Sequence, residues 1–178
     1  MFIILDRDGV INHESAAYVK TPEEWIPIPG SLEAMASLSK AGFRILIATN
    51  QSGVARGYYD HEMLGRIHEK LTRELAVHGG TIEEIFYCPH HPDVGCNCRK
   101  PKPGLIHQIQ QKYPVVLEET YFIGDSDVDM FVAKETGCRP LLVLTGRGQA
   151  MVEKYPEFST IPHFANLKAA VEHVLKNV

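Results

Sequence analysis

The sequence predicts an α/β protein with a single doubly wound parallel sheet and helices on both faces. Short apolar runs alternate with amphipathic stretches along the chain, which is typical of parallel strands joined by crossover helices. The apolar runs are nearly continuous, which indicates strands buried on both faces. The 178 residues suit one domain spanning 1–178, because a single core usually covers about 100–200 residues.

Five strands and five helices are expected in alternating order. Gly42 follows the first helix and suits the left-handed turn that commonly ends a helix. Asp60 can cap the second helix, whose apolar residues recur on one face. The strands are predicted at Phe2–Leu5, Phe43–Ala48, Ile82–Tyr87, Tyr121–Ile123 and Leu141–Leu144. The helices are predicted at Ser31–Ala41, between Asp60 and Gly79, and at Gly104–Tyr113, Asp127–Thr136 and Leu167–Lys176.

Composition and charge argue against several classes of partner. The net charge of -4 and the scattered Lys and Arg residues provide no basic surface for nucleic acid. No apolar run reaches the roughly 18 residues of a membrane span. Phe2–Leu5 is too short for the apolar region of a secretory signal peptide. We therefore expect a cytoplasmic monomer that binds a small molecule and neither nucleic acid nor a membrane.

Acidic residues directly follow two of the predicted strands. Asp6 and Asp8 come after the first strand, and Asp125 and Asp129 come after the fourth. In doubly wound sheets, ligands bind beyond the carboxyl ends of the strands, so these carboxylates should meet. Carboxylates at close range repel each other unless a cation lies between them. Oxygen ligands of this kind suit Mg²⁺, which commonly binds one or two carboxylates together with a substrate phosphate.

Two further segments bring polar and cationic groups to the same edge of the sheet. Thr49–Ser52 follows the second strand with hydroxyl and amide groups, and Arg99–Pro103 follows the third strand's loop with positive charge. Each segment alone is typical of a surface turn. Their occurrence after successive strands indicates a phosphoryl-transfer site, in which carboxylates, a metal, hydroxyl donors and a lysine act together.

These four motifs resemble those of the haloacid dehalogenase superfamily of phosphotransferases, and the resemblance covers the whole chain. It implies that Asp6 is the nucleophile and forms an aspartyl-phosphate. It implies that Asp8 is the acid/base and that its backbone carbonyl also reaches Mg²⁺. Thr49 would hydrogen-bond the phosphoryl group. The chain has no insertion large enough for a cap domain, so we expect an open site with a flap at Asn12–Pro29.

The same resemblance implies the remaining metal-binding and cationic residues. Asp125 would bind Mg²⁺ with the two aspartates of the first motif, and Asp129 would contact these ligands without binding the metal itself. Lys100 is the favoured lysine for neutralising the phosphoryl group, because Arg99–Pro101 joins rigidly to the preceding cysteines. Lys102 is the rival for this role.

A compact group of metal-binding residue types precedes these cations, at Cys88, His90, Cys96 and Cys98. Three thiolates and one imidazole can close a tetrahedral Zn²⁺ site with no open position, which is typical of structural zinc. His91 is an alternative ligand to His90. The cysteines could instead form a redox pair, although a bridge within Cys-x-Cys is strained, or remain free thiols like Cys138. We expect a structural zinc that clips the loop before the cations.

Within the superfamily, the cysteine segment resembles a small branch that contains heptose bisphosphate 7-phosphatases and histidinol-phosphate phosphatases. The stretches DRDGVIN, ATNQSGVARGYY and CRKPKPG favour the heptose enzymes. This resemblance implies a sugar phosphate substrate and a step in making nucleotide-activated heptose for the lipopolysaccharide core. The alternative of another class is a non-catalytic, zinc-stabilised binding module, which the complete set of catalytic residues disfavours.

The resemblance to this branch also implies the substrate contacts. Arg99 is similar to the arginine that recognises the substrate, and a second phosphate would need a further cation, for which Arg56 and Arg147 are candidates. Ser126 departs from the charged residue that heptose phosphatases generally carry at this position. The pocket lining is expected to include Asn50, Gln51, Ser52 and the start of the flap, Glu14, Ser15, Ala16 and Ala17.

Overall fold

Six parallel strands form one sheet in the order β3-β2-β1-β4-β5-β6. The central strands have buried side chains on both faces, as their continuous apolar sequences require. The computed structural model describes residues 1–178. It bounds the strands as β1 Phe2–Leu5, β2 Arg44–Asn50, β3 Glu84–Cys88, β4 Tyr121–Gly124, β5 Arg139–Val143 and β6 His163–Phe164.

Helices cover both faces of this sheet. They are α1 Ser31–Lys40, α2 His61–Val77, α3 Gly104–Lys112, α4 Asp127–Thr136, α5 Gly148–Lys154 and α6 Leu167–Lys176. Helices α1, α2 and α6 pack on one face, where Ile3 and Leu5 of β1 also point. Helices α3 and α4 pack on the other face against Ile4, because successive strand residues point in opposite directions.

The predicted doubly wound fold is confirmed, with helices on both faces and no separate cap domain. All five predicted strands and all five predicted helices occur, with boundaries shifted by one or two residues or not at all. The side chain of Asp60 caps α2 by accepting a hydrogen bond from the backbone N–H of Met63 at 2.8 Å. The sequence did not predict α5 or β6. Both are too short for an apolar periodicity to be recognisable.

The strand order places the chemistry-bearing loops side by side. The chain builds outward from β1 through β2 to β3, then returns to the other side of β1 with β4. Loops that leave neighbouring strands in opposite directions open a crevice at the carboxyl ends of β1 and β4. The backbone N–H of Asp6 donates to the carbonyl of Ile123 at 2.9 Å, which joins the first motif to β4.

The flap predicted at Asn12–Pro29 borders this crevice. A bridge between Asn12 and Pro27 closes its base, and a short 3₁₀ helix at Pro22–Glu24 interrupts it. Trp25 is completely buried and packs into the main core, which holds the flap to the body of the domain. None of the helices combines the length and apolarity needed to cross a bilayer.

Candidate active site

A polar cavity of about 250 Å³ opens at the carboxyl ends of the central strands. Most of the residues predicted from sequence line it together. Ala17 does not line it; its carbonyl instead accepts a hydrogen bond from the Lys20 ammonium at 2.9 Å. The predicted residues that line the cavity are Asp6, Asp8, Glu14, Ser15, Ala16, Thr49, Asn50, Gln51, Ser52, Arg99, Lys100 and Asp125.

Lys100 lies at the base of this cavity and is 2 % exposed. Its Nζ is 3.0 Å from Asp6 Oδ1, 2.6 Å from Asp129 Oδ1 and 2.8 Å from the carbonyl oxygen of Ala48. Burial opposes its positive charge, but Asp129 and Asp6 outweigh burial and raise the pKa of Lys100. Lys102 is exposed, and its ammonium donates to the carbonyl of Gly95 at 3.2 Å. The structure therefore places Lys100, and not its rival, beside the predicted nucleophile.

Three carboxylates crowd together around this lysine. Single oxygens of Asp6, Asp125 and Asp129 all lie within 4.8 Å of one another. Burial and the charge of Asp129 raise the pKa of Asp6 to about 7. Burial, Asp129 and Asp6 likewise raise the pKa of Asp125 well above its ordinary value. One lysine does not neutralise three buried carboxylates. The cluster therefore has an excess of negative charge, which a bound cation would balance.

The hydrogen bonds indicate which of these oxygens are free to bind Mg²⁺. Asp129 is fully committed: Oδ1 accepts from Lys100, and Oδ2 accepts from the Ser126 hydroxyl at 2.8 Å and from two backbone N–H groups. Asp6 accepts its hydrogen bonds at Oδ1 alone. Asp125 accepts from the backbone N–H of Arg147 at Oδ2 alone. The free oxygens Asp6 Oδ2 and Asp125 Oδ1 fit the ligand set of Mg²⁺.

Asp8 is held by three neighbouring side chains. Arg7 donates to both of its oxygens, at 2.8 and 3.0 Å, and Asn12 donates to Oδ1 at 2.8 Å. Gln51 donates to Oδ2 at 2.9 Å. Burial would raise the pKa of Asp8, but the charge of Arg7 and these hydrogen bonds outweigh burial and lower it.

Asn50 and Gln51 line the cavity, but their side chains are bonded within the protein. Asn50 Oδ1 accepts from the backbone N–H of Lys100 at 3.0 Å, and its Nδ2 donates to the carbonyl of the same residue at 3.1 Å. Gln51 Nε2 donates to Thr49 Oγ1 at 2.9 Å as well as to Asp8. Gln51 Oε1 accepts from the Tyr59 hydroxyl at 2.6 Å. These two amides therefore orient the catalytic candidates around them.

The two candidate arginines for a second phosphate differ in position. Arg147 lines the cavity, and its Nε is 2.6 Å from Glu14 Oε1 at the start of the flap. Its backbone N–H also binds Asp125, so its guanidinium extends from a fixed point beside the carboxylates. Arg56 does not line the cavity; its guanidinium lies 5.8 Å from the ring centre of Tyr18.

Three cysteines and His90 converge on one point beyond β3. The Sγ atoms of Cys88 and Cys96 are 3.6 Å apart, those of Cys96 and Cys98 are 3.7 Å apart, and His90 Nδ1 is 3.2 Å from Cys98 Sγ and 3.6 Å from Cys88 Sγ. Tetrahedral zinc with bonds of about 2.3 Å to sulfur requires sulfurs about 3.8 Å apart. These four separations fit a tetrahedral zinc site, and all four ligand atoms lie within 4.8 Å of one another.

The structure argues against two alternatives for this cluster, His91 as a ligand and a disulfide between cysteines. His91 Nδ1 accepts from the backbone N–H of Asp93 at 3.2 Å and lies outside the group of four. No disulfide is formed. Burial raises the pKa of the Cys88 thiol to about 12. Burial also opposes the charge of Cys96, but hydrogen bonds, led by one from the Arg99 backbone, outweigh it and lower the pKa of Cys96 to about 6. Three thiolates at this spacing would repel one another without a cation between them.

Sequence reasoning missed the support around Asp8. Arg7 is completely buried, although a charged residue between two aspartates is typical of a solvent-exposed turn. The sequence did not single out His68, yet its Nε2 lies 3.1 Å from Arg7 Nη1. Asn12 and Tyr59 were assigned no role. The only signal was the position of Arg7 itself, because a charge next to a buried strand needs a buried partner.

Comparison with known proteins identifies relatives of this chain. The HAD-hydrolase-like family model matches residues 97–170. D-glycero-beta-D-manno-heptose-1,7-bisphosphate 7-phosphatase of Pseudomonas putida is 50% identical over 174 residues, covering 97% of this chain and 98% of the relative. The enzyme of the same name from Pseudomonas aeruginosa is 50% identical over 175 residues, covering 98% of this chain and 97% of the relative.

A solved structure is similar over nearly the whole chain. The crystal structure of D,D-heptose 1,7-bisphosphate phosphatase from B. bronchiseptica, complexed with magnesium and phosphate, has a TM-score of 0.96 and 45% identity. The match covers 99% of both chains. The chain therefore belongs to the D-glycero-D-manno-heptose-1,7-bisphosphate 7-phosphatase family, within the haloacid dehalogenase-like hydrolases.

Proposed function

We propose that this protein is a Mg²⁺-dependent phosphatase that removes the 7-phosphate of D-glycero-D-manno-heptose 1,7-bisphosphate. The observation that carries the proposal is the buried Lys100 between Asp6 and Asp129, at the base of a cavity that also holds Asp125. The names of relatives at 50% identity support the choice of substrate. The product would serve the synthesis of nucleotide-activated heptose for lipopolysaccharide, in the cytoplasm, with residues 1–178 acting as one monomeric domain.

Asp6 would act as the nucleophile. One of its carboxylate oxygens would form the bond to phosphorus and the other would face Mg²⁺. Oδ2 has no protein partner, while Lys100 and the backbone N–H of Arg7 hold Oδ1. Mg²⁺ bound by Asp6, Asp125 and the carbonyl of Asp8 would keep the nucleophile ionised and reduce its repulsion from the phosphate. Lys100 would also neutralise the transferring phosphoryl group, and Thr49 would donate a hydrogen bond to it.

Asp8 would transfer protons in both halves of the reaction. The negative charge of a bound phosphate would offset that of Arg7 and raise the pKa of Asp8, so that it takes up a proton. Asp8 would then protonate the departing sugar oxygen when the aspartyl-phosphate forms, and later accept a proton from the water that hydrolyses this intermediate. Its side chain lines the cavity and remains 28% exposed, so an ester oxygen can reach it. The hydrogen bonds from Arg7, Asn12 and Gln51 fix its direction.

The cysteine cluster would bind one structural zinc through Cys88, His90, Cys96 and Cys98. The spacing of the four ligand atoms supports this assignment, and no ligand position is left for a substrate. The cluster ends one residue before Arg99 and two before Lys100, so metal binding would fix the loop that carries both cations.

The distal phosphate would bind Arg147 and Arg99 at the rim of the cavity. These are the cavity cations other than Lys100, which is enclosed by carboxylates. Ser126 cannot supply a charge, and its hydroxyl is committed to Asp129. Arg147 would exchange its flap partner Glu14 for the phosphate, because a dianion attracts a guanidinium more strongly than a carboxylate does.

Phosphate release tests the proposed activity. The purified protein is assayed with heptose 1,7-bisphosphate and with histidinol phosphate, with Mg²⁺ present or chelated, and with Asp6→Asn as control. We expect fast Mg²⁺-dependent release from the bisphosphate and none from the variant. Faster release from histidinol phosphate would refute the substrate while keeping the chemistry. No release from either ester would leave the non-catalytic binding module as the better interpretation.

The distal contact is tested by substrates that differ in one phosphate. Arg147→Ala should lower kcat/KM for heptose 1,7-bisphosphate by about tenfold or more, and leave heptose 7-phosphate within about twofold, because a hydrogen-bonded charge pair contributes about 1.5–3 kcal/mol. Arg56→Ala is the matched control, since Arg56 lies outside the cavity lining. An equal loss on both substrates would argue against a distal phosphate contact.

A further inference from the structure

The guanidinium of Arg7 connects the candidate acid/base to a helix that does not line the cavity. Arg7 is completely buried, and each of its three nitrogens has a side-chain partner. Nε and Nη2 donate to Asp8, and Nη2 also lies 3.3 Å from Gln51 Oε1. Nη1 points the other way and meets His68 Nε2 on α2 at 3.1 Å.

His68 is suited to accept this hydrogen bond. Burial and the neighbouring charge of Arg7 lower the pKa of His68 to about 3, so the ring is neutral near pH 7. Because a guanidinium can only donate, Nε2 must be the accepting nitrogen and the ring proton lies on Nδ1. His68 is therefore a fixed acceptor behind Arg7, and it does not line the cavity.

A second support reaches Asp8 through Gln51. Gln51 Nε2 donates to Asp8 Oδ2 at 2.9 Å, while its Oε1 accepts from the Tyr59 hydroxyl at 2.6 Å. Tyr59 is buried, so this amide cannot turn without losing a buried hydrogen bond. Arg7 and Gln51 therefore both donate to the Asp8 carboxylate. Each is in turn hydrogen-bonded by a residue outside the cavity lining, His68 for Arg7 and Tyr59 for Gln51.

We propose that His68, acting through Arg7, is a positioning residue that holds the Asp8 carboxyl group in line with the departing sugar oxygen. The proposal rests on the proposed function, because it assigns Asp8 its role as proton donor. Proton transfer requires heavy atoms within hydrogen-bond reach, and small displacements cost large factors in rate. Without His68, the buried Arg7 guanidinium loses its acceptor at Nη1 and is free to reorient. Because the same guanidinium holds Asp8, the carboxyl group would turn with it.

The leaving group of the substrate separates this role from general support of the fold. A sugar alkoxide is a poor leaving group and needs a proton from Asp8, whereas p-nitrophenolate leaves as a stable anion without one. Because kcat/KM covers the steps up to departure of the leaving group, it reports this proton transfer. A misplaced Asp8 should therefore slow only the sugar ester, while a distorted cavity should slow both substrates.

The experiment compares His68→Leu, which removes the acceptor, with His68→Gln, which retains one near Nε2. His61→Leu is the matched control, because His61 lies on the same helix and contacts Tyr87 instead of Arg7. Each Mg²⁺-loaded protein is assayed with heptose 1,7-bisphosphate and with p-nitrophenyl phosphate. Thermal unfolding and zinc content are measured in parallel.

We expect His68→Leu to lower kcat/KM for heptose 1,7-bisphosphate by about tenfold and for p-nitrophenyl phosphate by less than about twofold. His68→Gln and His61→Leu should stay within about threefold of the unsubstituted protein on both substrates. Should His68→Leu fail to fold, Tyr59→Phe loosens Asp8 through Gln51, keeps the buried ring, and should show the same selective loss.

Equal losses on both substrates, or no loss on either, would overturn the proposal. So would a tenfold loss in His68→Gln equal to that in His68→Leu. The unsubstituted protein serves as the test of the proposed function in the same assay. If it releases no phosphate from the sugar ester, the proposed function fails, whereas a failure of the positioning role alone leaves its activity intact.

Discussion

The carboxylate site and the cysteine cluster stand at the same end of the sheet but are built differently. The carboxylate site joins groups that are distant in sequence, because Lys100 contacts both Asp6, which follows β1, and Asp129 on α4. The cysteine cluster draws all its ligands from 88–98. A local cluster depends on its own loop, whereas a dispersed cluster depends on the whole sheet. One ion bound within the loop at 88–98 could therefore fix the cysteine cluster, whereas the carboxylate site needs the packed sheet to bring its members together.

The two regions also handle excess negative charge differently. Burial is the first cause that raises the pKa of Asp6 to about 7 in the carboxylate site and that of Cys88 to about 12 in the cysteine cluster. The carboxylate site contains an internal cation, Lys100, whereas no Lys or Arg side chain bonds the sulfurs of the cysteine cluster. We therefore expect the fold to survive without Mg²⁺ but to weaken without zinc.

Replacement of the nucleophile should give the largest effect. Asp6→Asn should lower phosphate release by at least about 10³-fold, because no other group can form the covalent intermediate. The same change should not lower the melting temperature of the metal-free protein, since it removes one of three crowded carboxylates. Activity assays and thermal unfolding check both parts. A clear loss of stability would show that Asp6 contributes to folding as well as to chemistry.

A pair of lysine variants tests whether the internal cation belongs to the site. Lys100→Met should lower phosphate release by about 10²–10³-fold, because the charge of the phosphoryl group loses its partner. It should also destabilise the fold by about 3–5 kcal/mol, since buried Asp6 and Asp129 lose their counter-ion. Lys102→Met is the control and should change neither quantity noticeably, because Lys102 is exposed. Similar effects of both changes would refute the assignment.

Zinc removal tests the local cluster. Cys96→Ser should lose the bound zinc and lower the free energy of unfolding by about 3 kcal/mol or more, because zinc-binding free energy contributes to folding. Activity should fall as well, since Arg99 and Lys100 follow the clip. Cys138→Ala, outside the cluster, should retain the metal. Metal analysis and denaturant unfolding provide the measurements, and a zinc-free Cys96→Ser protein of unchanged stability would contradict the structural role.

Acid sensitivity should show the smallest effect. The folded protein holds His68 at a pKa of about 3, below the ordinary value near 6.5, so the unfolded chain binds the extra proton between these values. His68 therefore favours the fold near pH 7, and this contribution is lost as the pH falls below about 6.5. Between pH 7 and pH 5 the loss should be on the order of 1–2 kcal/mol. Denaturant unfolding should show a smaller loss for His68→Gln.

The sequence by itself determined which strands and helices follow one another along the chain, because apolar runs and caps are local signals that act within a few residues. It also identified the cysteine cluster, whose ligands are neighbours along the chain. The missed elements α5 and β6 carry too few residues for such a signal. The substrate and metal roles of the individual cavity residues remain predictions.

Tertiary structure alone decided which groups meet across the sheet. The folded loop after β3, where Asn50 bonds the backbone of Lys100, brings Lys100 rather than Lys102 to Asp6. Packing of α2 brings His68 to Arg7. It also turned Asn50 and Gln51 inward as supports, and left Ala17 outside the cavity. The physical reason is that a buried charge requires a partner, but residue spacing within the chain does not specify which distant group will supply it.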